Sequence, residues 1–95
     1  MTDHPAVLAL SGELDIATAA TAISTAAAGL SVREGQRVLV DVSRVVFIDA
    51  AGLGALVGLR NEISARGGAT EIVYANDRFR RTCAVAGLAG LVRPR

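Results

Sequence analysis

Lysine and tryptophan are absent from this chain of 95 residues, and histidine, cysteine and tyrosine each occur once. A lone Cys83 closes no internal disulfide, so the sequence makes no demand for an oxidising compartment. One histidine and one cysteine fall short of the ligand set a zinc site needs. They are equally short of a nucleophile and base pair, because His4 lies beside the terminus and no G-x-S-x-G turn accompanies it. Catalysis, a metal and a cofactor are therefore not expected. Aromatic residues make up 3% of the chain, so the core must be thin, built from Val, Leu, Ile and close backbone packing. Ten basic residues face nine acidic ones, for a net charge of +1. That balance creates no one-signed field to draw in nucleic acid or an anionic membrane surface. The longest apolar run, Ala50 to Leu59, is far short of the roughly 20 residues that span a bilayer. Asp3 and His4 sit where a signal peptide carries positive charge, so the expectation is a cytoplasmic chain without direct membrane insertion.

What remains is a length of one domain, residues 1–95, and a clear change of pattern along it. Ala6 to Leu10 alternates weakly and reads as a strand, followed by a turn cluster from Ser11 to Asp15. Ile16, Ala20, Ile23, Ala27 and Leu30 then recur at helical spacing, with Asp15 or Thr18 placed to cap the helix. Arg37 to Val42 is a short, β-branched, nearly continuous apolar run, the mark of a central strand covered on both faces. Asp49 is suited to cap a helix over about Ala50 to Ala65, with Leu53, Leu56, Val57 and Ile63 inward and Gly67-Gly68 at its end. Ala69 to Ala75 reads as a strand centred on Ile72-Val73-Tyr74. Asn76-Asp77 can cap a helix from about Arg78 to Ala86, closed by Gly87. The tail from Leu88 holds at most a stub of edge strand before Pro94. The order β-α-β-α-β-α implies a small α/β domain, with helical crossovers joining mainly parallel strands.

Few groups carry chemistry of their own. Cys83 falls at an inward position of the last helix and reads as a small buried hydrophobe rather than a reactive thiol. Gly52, Gly54 and Gly58 follow a strand and open a helix, but their G-x-G-x-x-x-G spacing is one residue off the dinucleotide fingerprint. Asp49 would also repel phosphate there, so close packing explains these glycines better. Arg78-Phe79-Arg80-Arg81 reads as a solvated helix face more than as an anion site.

The segment from Val40 to Leu56 (V-D-V-S-R-V-V-F-I-D-A-A-G-L-G-A-L) resembles the signature of the STAS family, D-x-S-x-V-x-F-I-D-S-S-G-L-G, in its anti-sigma factor antagonist form. Gly12-Glu13-Leu14-Asp15, Gly67-Gly68 and Ala86-Gly87-Leu88 fall in the matching order. The resemblance implies a small STAS-like domain, a mostly parallel or mixed sheet of about four strands with helices packed on it. It implies a non-catalytic regulator that binds an anti-sigma factor serine kinase of the GHKL class, or another STAS-binding protein, and so releases a sigma factor. A weak homodimer is left open. In the family the first Ser after Asp49 is the phospho-acceptor; here that position is Ala50, and Ala51 follows. The scaffold is present and the switch hydroxyl is not. Ala50, Ala51, Gly52 and Leu53 are thus expected at the centre of a partner surface, Asp49 beneath it, with Asp15 and Ser43 as neighbours. The alternatives are a non-switching STAS subunit of a scaffold or of a lipid-transport ABC complex, and a small-ligand sensor.

Overall fold

Parallel strands cannot be joined by a tight hairpin, so each must be followed by a crossover that returns the chain to its starting edge. The computed structural model, which describes residues 4–94, meets this requirement with helices. Its elements are β1 (Ala6–Leu14), α1 (Ala19–Ala27), β2 (Arg37–Ile48), α2 (Ala50–Ala65), β3 (Ala69–Val73) and α3 (Asp77–Val85), then one 3-10 turn, Ala89–Leu91. Strand order is β1-β2-β3, with β2 parallel to both neighbours. Both crossovers step in the same direction across the sheet, and right-handedness then puts α1 and α2 on the same face.

Burial along β2 follows that arrangement. Val38, Val40 and Val42 are buried, whereas Arg37, Leu39 and Asp41 between them are only half-buried. The strand is therefore covered on one face, not on both as its composition suggests. Val7, Leu39 and Glu71 form a cross-strand row on the open face. Glu71 there accepts from Arg37 Nη2 at 3.3 Å and from Arg93 Nε at 2.6 Å. The Arg93 hydrogen bond holds the Glu71 carboxyl below its ordinary pKa, with a smaller contribution from Arg37. On the helix side Leu8, Leu10 and Leu14 meet Ile23 of α1, Leu53, Leu56, Leu59 and Ile63 of α2, and Phe79 and Cys83 of α3. Phe79 is the ring in this core; Phe47 and Tyr74 are exposed.

The sheet has three strands rather than about four. A fourth is reduced to Val92, which makes one parallel bridge to Ile72. The 3-10 turn ends at Leu91 and Pro94 offers no N–H, which leaves little chain to extend the pairing. β1 does not turn at Ser11 but runs on to Leu14, with register irregularities between Ala9 and Ser11 and between Gly12 and Glu13. The extra residue lies on β2 each time, three steps against two and then two against one, so it is β2 that bulges to keep pairing with β1, and Leu14 reaches the core at 0% exposure.

The first helix begins at Ala19, and Ile16 is 87% exposed rather than on its inner face. Asp15 is the cause: its Oδ1 accepts from the N–H groups of Ala17 and Thr18 at 2.9 and 3.0 Å. That side-chain turn competes with helix over residues 16–18. Ala20 is likewise exposed, while Ala19 and Ile23 face inward. Tyr74 was expected at the centre of β3, but the strand stops at Val73 and Tyr74 turns left-handed at φ 63°. In α2, Leu59 is buried and Val57 only half-buried. The helix ends as its sequence suggests: Gly67 takes φ 84°, its N–H reaching Ser64 O while Gly68 N–H reaches Ile63 O, both at 2.9 Å.

Candidate partner-docking site

A parallel sheet gathers the carboxyl ends of its strands at one end, and here each is followed by a short polar residue. Asp15 follows β1, Asp49 follows β2 and Asn76 lies just beyond β3. Asp49 Oδ1 accepts from Gly52 N–H at 3.0 Å and Asn76 Oδ1 from Phe79 N–H at 2.8 Å, so both cap the helices they precede. Asp49 N–H also donates to Leu14 O at 3.3 Å, tying the start of α2 to the end of β1.

The first turn of α2 is seated unusually close to the sheet. A Cβ added at Gly52 would lie 2.0 Å from Leu14 O and 2.9 Å from Ile48 Cγ1. Only a residue without a side chain fits, which fixes the rotation of the helix. Gly52 and Leu53 then turn inward, and Ala50 and Ala51 turn outward into solvent. Gly54 and Gly58, by contrast, have open space where a Cβ would go. Close packing therefore accounts for the first glycine of that run and not for the other two.

The residues expected at the site thus divide by position. Ala50 and Ala51 form an exposed ledge of two methyl groups, with half-buried Asp49 beneath. Gly52 and Leu53 shape it from below, with Leu53 only 2% exposed. Asp15 adjoins Leu14, whose carbonyl holds Asp49, and is locked in its own turn. The Thr18 hydroxyl is the main influence holding the Asp15 carboxyl below its ordinary pKa.

Ser43 is not brought to the ledge. It lies six residues before Asp49 along a strand, a separation of about 20 Å, and borders a different depression with Ala9, Leu10, Asp41 and Arg44. Its N–H donates to Asp41 Oδ1 at 2.9 Å. That bond, then the Ser43 hydroxyl, lowers the Asp41 pKa. The serine thus belongs to an irregular stretch of β2, tied locally to the Asp41 carboxylate.

Chemically the ledge offers shape and dipole. The amino end of α2 carries partial positive charge, part of which Asp49 already satisfies. Neither outward residue has a hydroxyl. Cys83 is fully buried, and burial pushes its thiol pKa up. Among the described residues no three His, Cys, Asp or Glu side chains are grouped to hold a metal. Nor is any helix among the described residues long and apolar enough to cross a membrane.

One element of the surface is not evident from the arginine run alone. Arg78, Arg81, Thr82, Val85 and Ala86 face Ala50 and Leu53 across an open groove of about 500 Å³. The signal for it was the spacing of Arg78, Arg81, Thr82 and Val85, one helical stripe that ends on an apolar residue.

Residues 1–93 match the family model described as Mlab, STAS domain. Among solved structures, the chain is similar to the anti-sigma factor antagonist SpoIIAA in its unphosphorylated form. The TM-score is 0.56 and the identity 27%, over 85% of this chain and 74% of that one. With the parallel sheet, the capped second helix and a family match along nearly its whole length, this chain belongs to the STAS domain family.

Proposed function

We propose that this chain is a non-catalytic, protein-binding regulator of the anti-sigma factor antagonist type. It docks a GHKL-class serine-kinase anti-sigma factor on the Ala50–Ala51 end of α2 and thereby frees a sigma factor. The observation that carries this reading is the pairing of a SpoIIAA-like fold with an exposed alanine at the start of that helix. In an antagonist with serine there, phosphorylation would place nearly two negative charges in the middle of a contact surface. Ala50 cannot accept phosphate, so binding through this ledge is constitutive with respect to that position. The test is a titration against GHKL-type anti-sigma kinases with ADP and with ATP. Tight binding that persists in ATP, without phosphate transfer, is the expected result. Absence of binding to every such kinase would sink the reading.

The family match favours one other partner class, because the matching model is described as Mlab. On that reading the same ledge contacts a component of a lipid-transport ABC complex and never switches. Affinity capture that recovers a transporter ATPase, with no kinase bound in the titration, would select it.

A further inference from the structure

The arginine-rich start of α3 is not a uniform solvated face. Phe79 and Cys83 enter the core. The guanidinium of Arg80 donates from Nη2 to Arg93 O at 2.9 Å. Arg78 and Arg81 remain, and among the described residues neither makes an ion pair. Both lie on the stripe that walls the groove against α2.

The floor of that groove is apolar. Leu53 is 2% exposed beneath it, and Val85 stands at its wall 87% exposed. Ala50, Ala86 and Thr82 complete the lining, and no carboxylate is among the residues that form it. A scattered surface valine needs no explanation, but one that joins an apolar concavity between two helices marks a contact site. The groove is bounded by α2 and α3 and open elsewhere. Small-molecule pockets enclose most of their ligand, whereas a groove of this form suits an amphipathic helix laid along it.

We infer that the groove between α2 and α3 receives an acidic amphipathic helix of the protein partner. Its apolar stripe rests on Ala50, Val85 and Ala86 over the Leu53 floor, and its carboxylates meet Arg78 and Arg81. The inference rests on the proposed docking role of α2, since Ala50 borders both surfaces. Charge selects the occupant: two unpaired guanidinium groups on an acid-free groove favour carboxylates and disfavour a basic helix. Their spacing selects the pattern. Arg78 and Arg81 are about 4.5 Å apart along the helix axis, which matches carboxylates at i and i+3 or i+4 on the partner. Guanidinium also takes carboxylate in a two-bonded fork, so register as well as sign is read.

The test uses the full chain, isotope-labelled, and a synthetic helical peptide with a leucine stripe flanked by glutamates one turn apart. Saturable binding is expected, with the largest amide shifts at Leu53 and from Thr82 to Ala86. Replacing the glutamates by glutamine should weaken binding about fivefold or more, the scale of two exposed ion pairs. The R78E/R81E double variant should lose the preference for the glutamate peptide. Val85→Glu should abolish binding with the melting temperature unchanged, because Val85 is exposed. Equal affinity for both peptides, or shifts confined to other surfaces, overturns the inference. So does binding of phosphatidylglycerol vesicles with no response to the peptide, which would make this a membrane-contact face. The kinase titration separates the two readings. Kinase binding with a silent groove removes this inference and leaves the proposed function. Peptide binding in the groove without kinase binding supports the inference and removes the anti-sigma assignment.

Discussion

Gly52→Ala should be among the most damaging single-methyl changes in this protein. The added Cβ would sit 2.0 Å from Leu14 O and 2.9 Å from Leu14 C, both backbone atoms that no rotamer change can move. Relief requires α2 to lift from the ends of β1 and β2. Overpacking of this kind costs about 1–3 kcal/mol. Lifting the helix also strains the Gly52 N–H bond to Asp49 and the Asp49 N–H bond to Leu14, each worth about 1 kcal/mol. Against this stands the helix propensity of alanine over glycine, at most about 1 kcal/mol. The net loss is therefore about 3 kcal/mol, or roughly 12–24 °C in melting temperature for a domain of this size. Gly54→Ala and Gly58→Ala are the controls, because their added methyls meet nothing within 4 Å. Each should be neutral or stabilising by up to about 1 kcal/mol. Thermal and urea unfolding followed by far-UV circular dichroism would compare all three. Equal stability of Gly52→Ala and Gly54→Ala would refute the seating of α2 described above.

At the ledge, Ala50→Asp should weaken partner binding by about tenfold or more by placing a charge in the contact. Ala50→Ser should bind as the parent does and become ATP-sensitive, read by calorimetry and by mass spectrometry for phosphate; indifference to both changes would argue against the ledge. Asp15, Asp41 and Glu71 all have depressed pKa values in the folded protein. Their stabilisation is present above the ordinary carboxylate range and lost as pH falls through the folded values. Melting temperature should thus hold from neutrality to about pH 5 and drop below about pH 4, less steeply in Glu71→Gln. Cys83 is fully buried with a raised thiol pKa, so a thiol reagent should leave it unmodified at neutral pH until the protein is unfolded; rapid labelling of the native protein would contradict this.

Much of the fold was legible where local chemistry and tertiary demand agree. Asp49 and Asn76 were readable as caps because a short side chain before an apolar helical run has one obvious use. Gly67-Gly68 was readable because a left-handed residue is needed there. The misreadings arise where a competing interaction, local or distant, overrides the hydrophobic pattern. Ile16 continues a helical period, yet the Asp15 turn delays the helix to Ala19. Ser11-Gly12 has the composition of a turn, yet pairing with a bulged β2 carries the strand onward. Tyr74 has strand propensity and stands instead at a left-handed corner.

The candidate site divides the same way. That Ala50 lacks a hydroxyl, and that Cys83 and His4 are single, is settled by residue identity, which no folding can change. The family signature follows from the same order of residues. Which of those residues point outward is a different matter, because it depends on the rotation of α2 against the sheet. Contact between Gly52 and Leu14 sets that rotation, and the two lie far apart in sequence. The groove is likewise a product of tertiary packing. Val85 reads as one more apolar residue in α3 until the crossover brings it against Ala50 and Leu53. Sequence records which groups are available and the helical stripe they share; only long-range packing sets that stripe against α2 to make one surface.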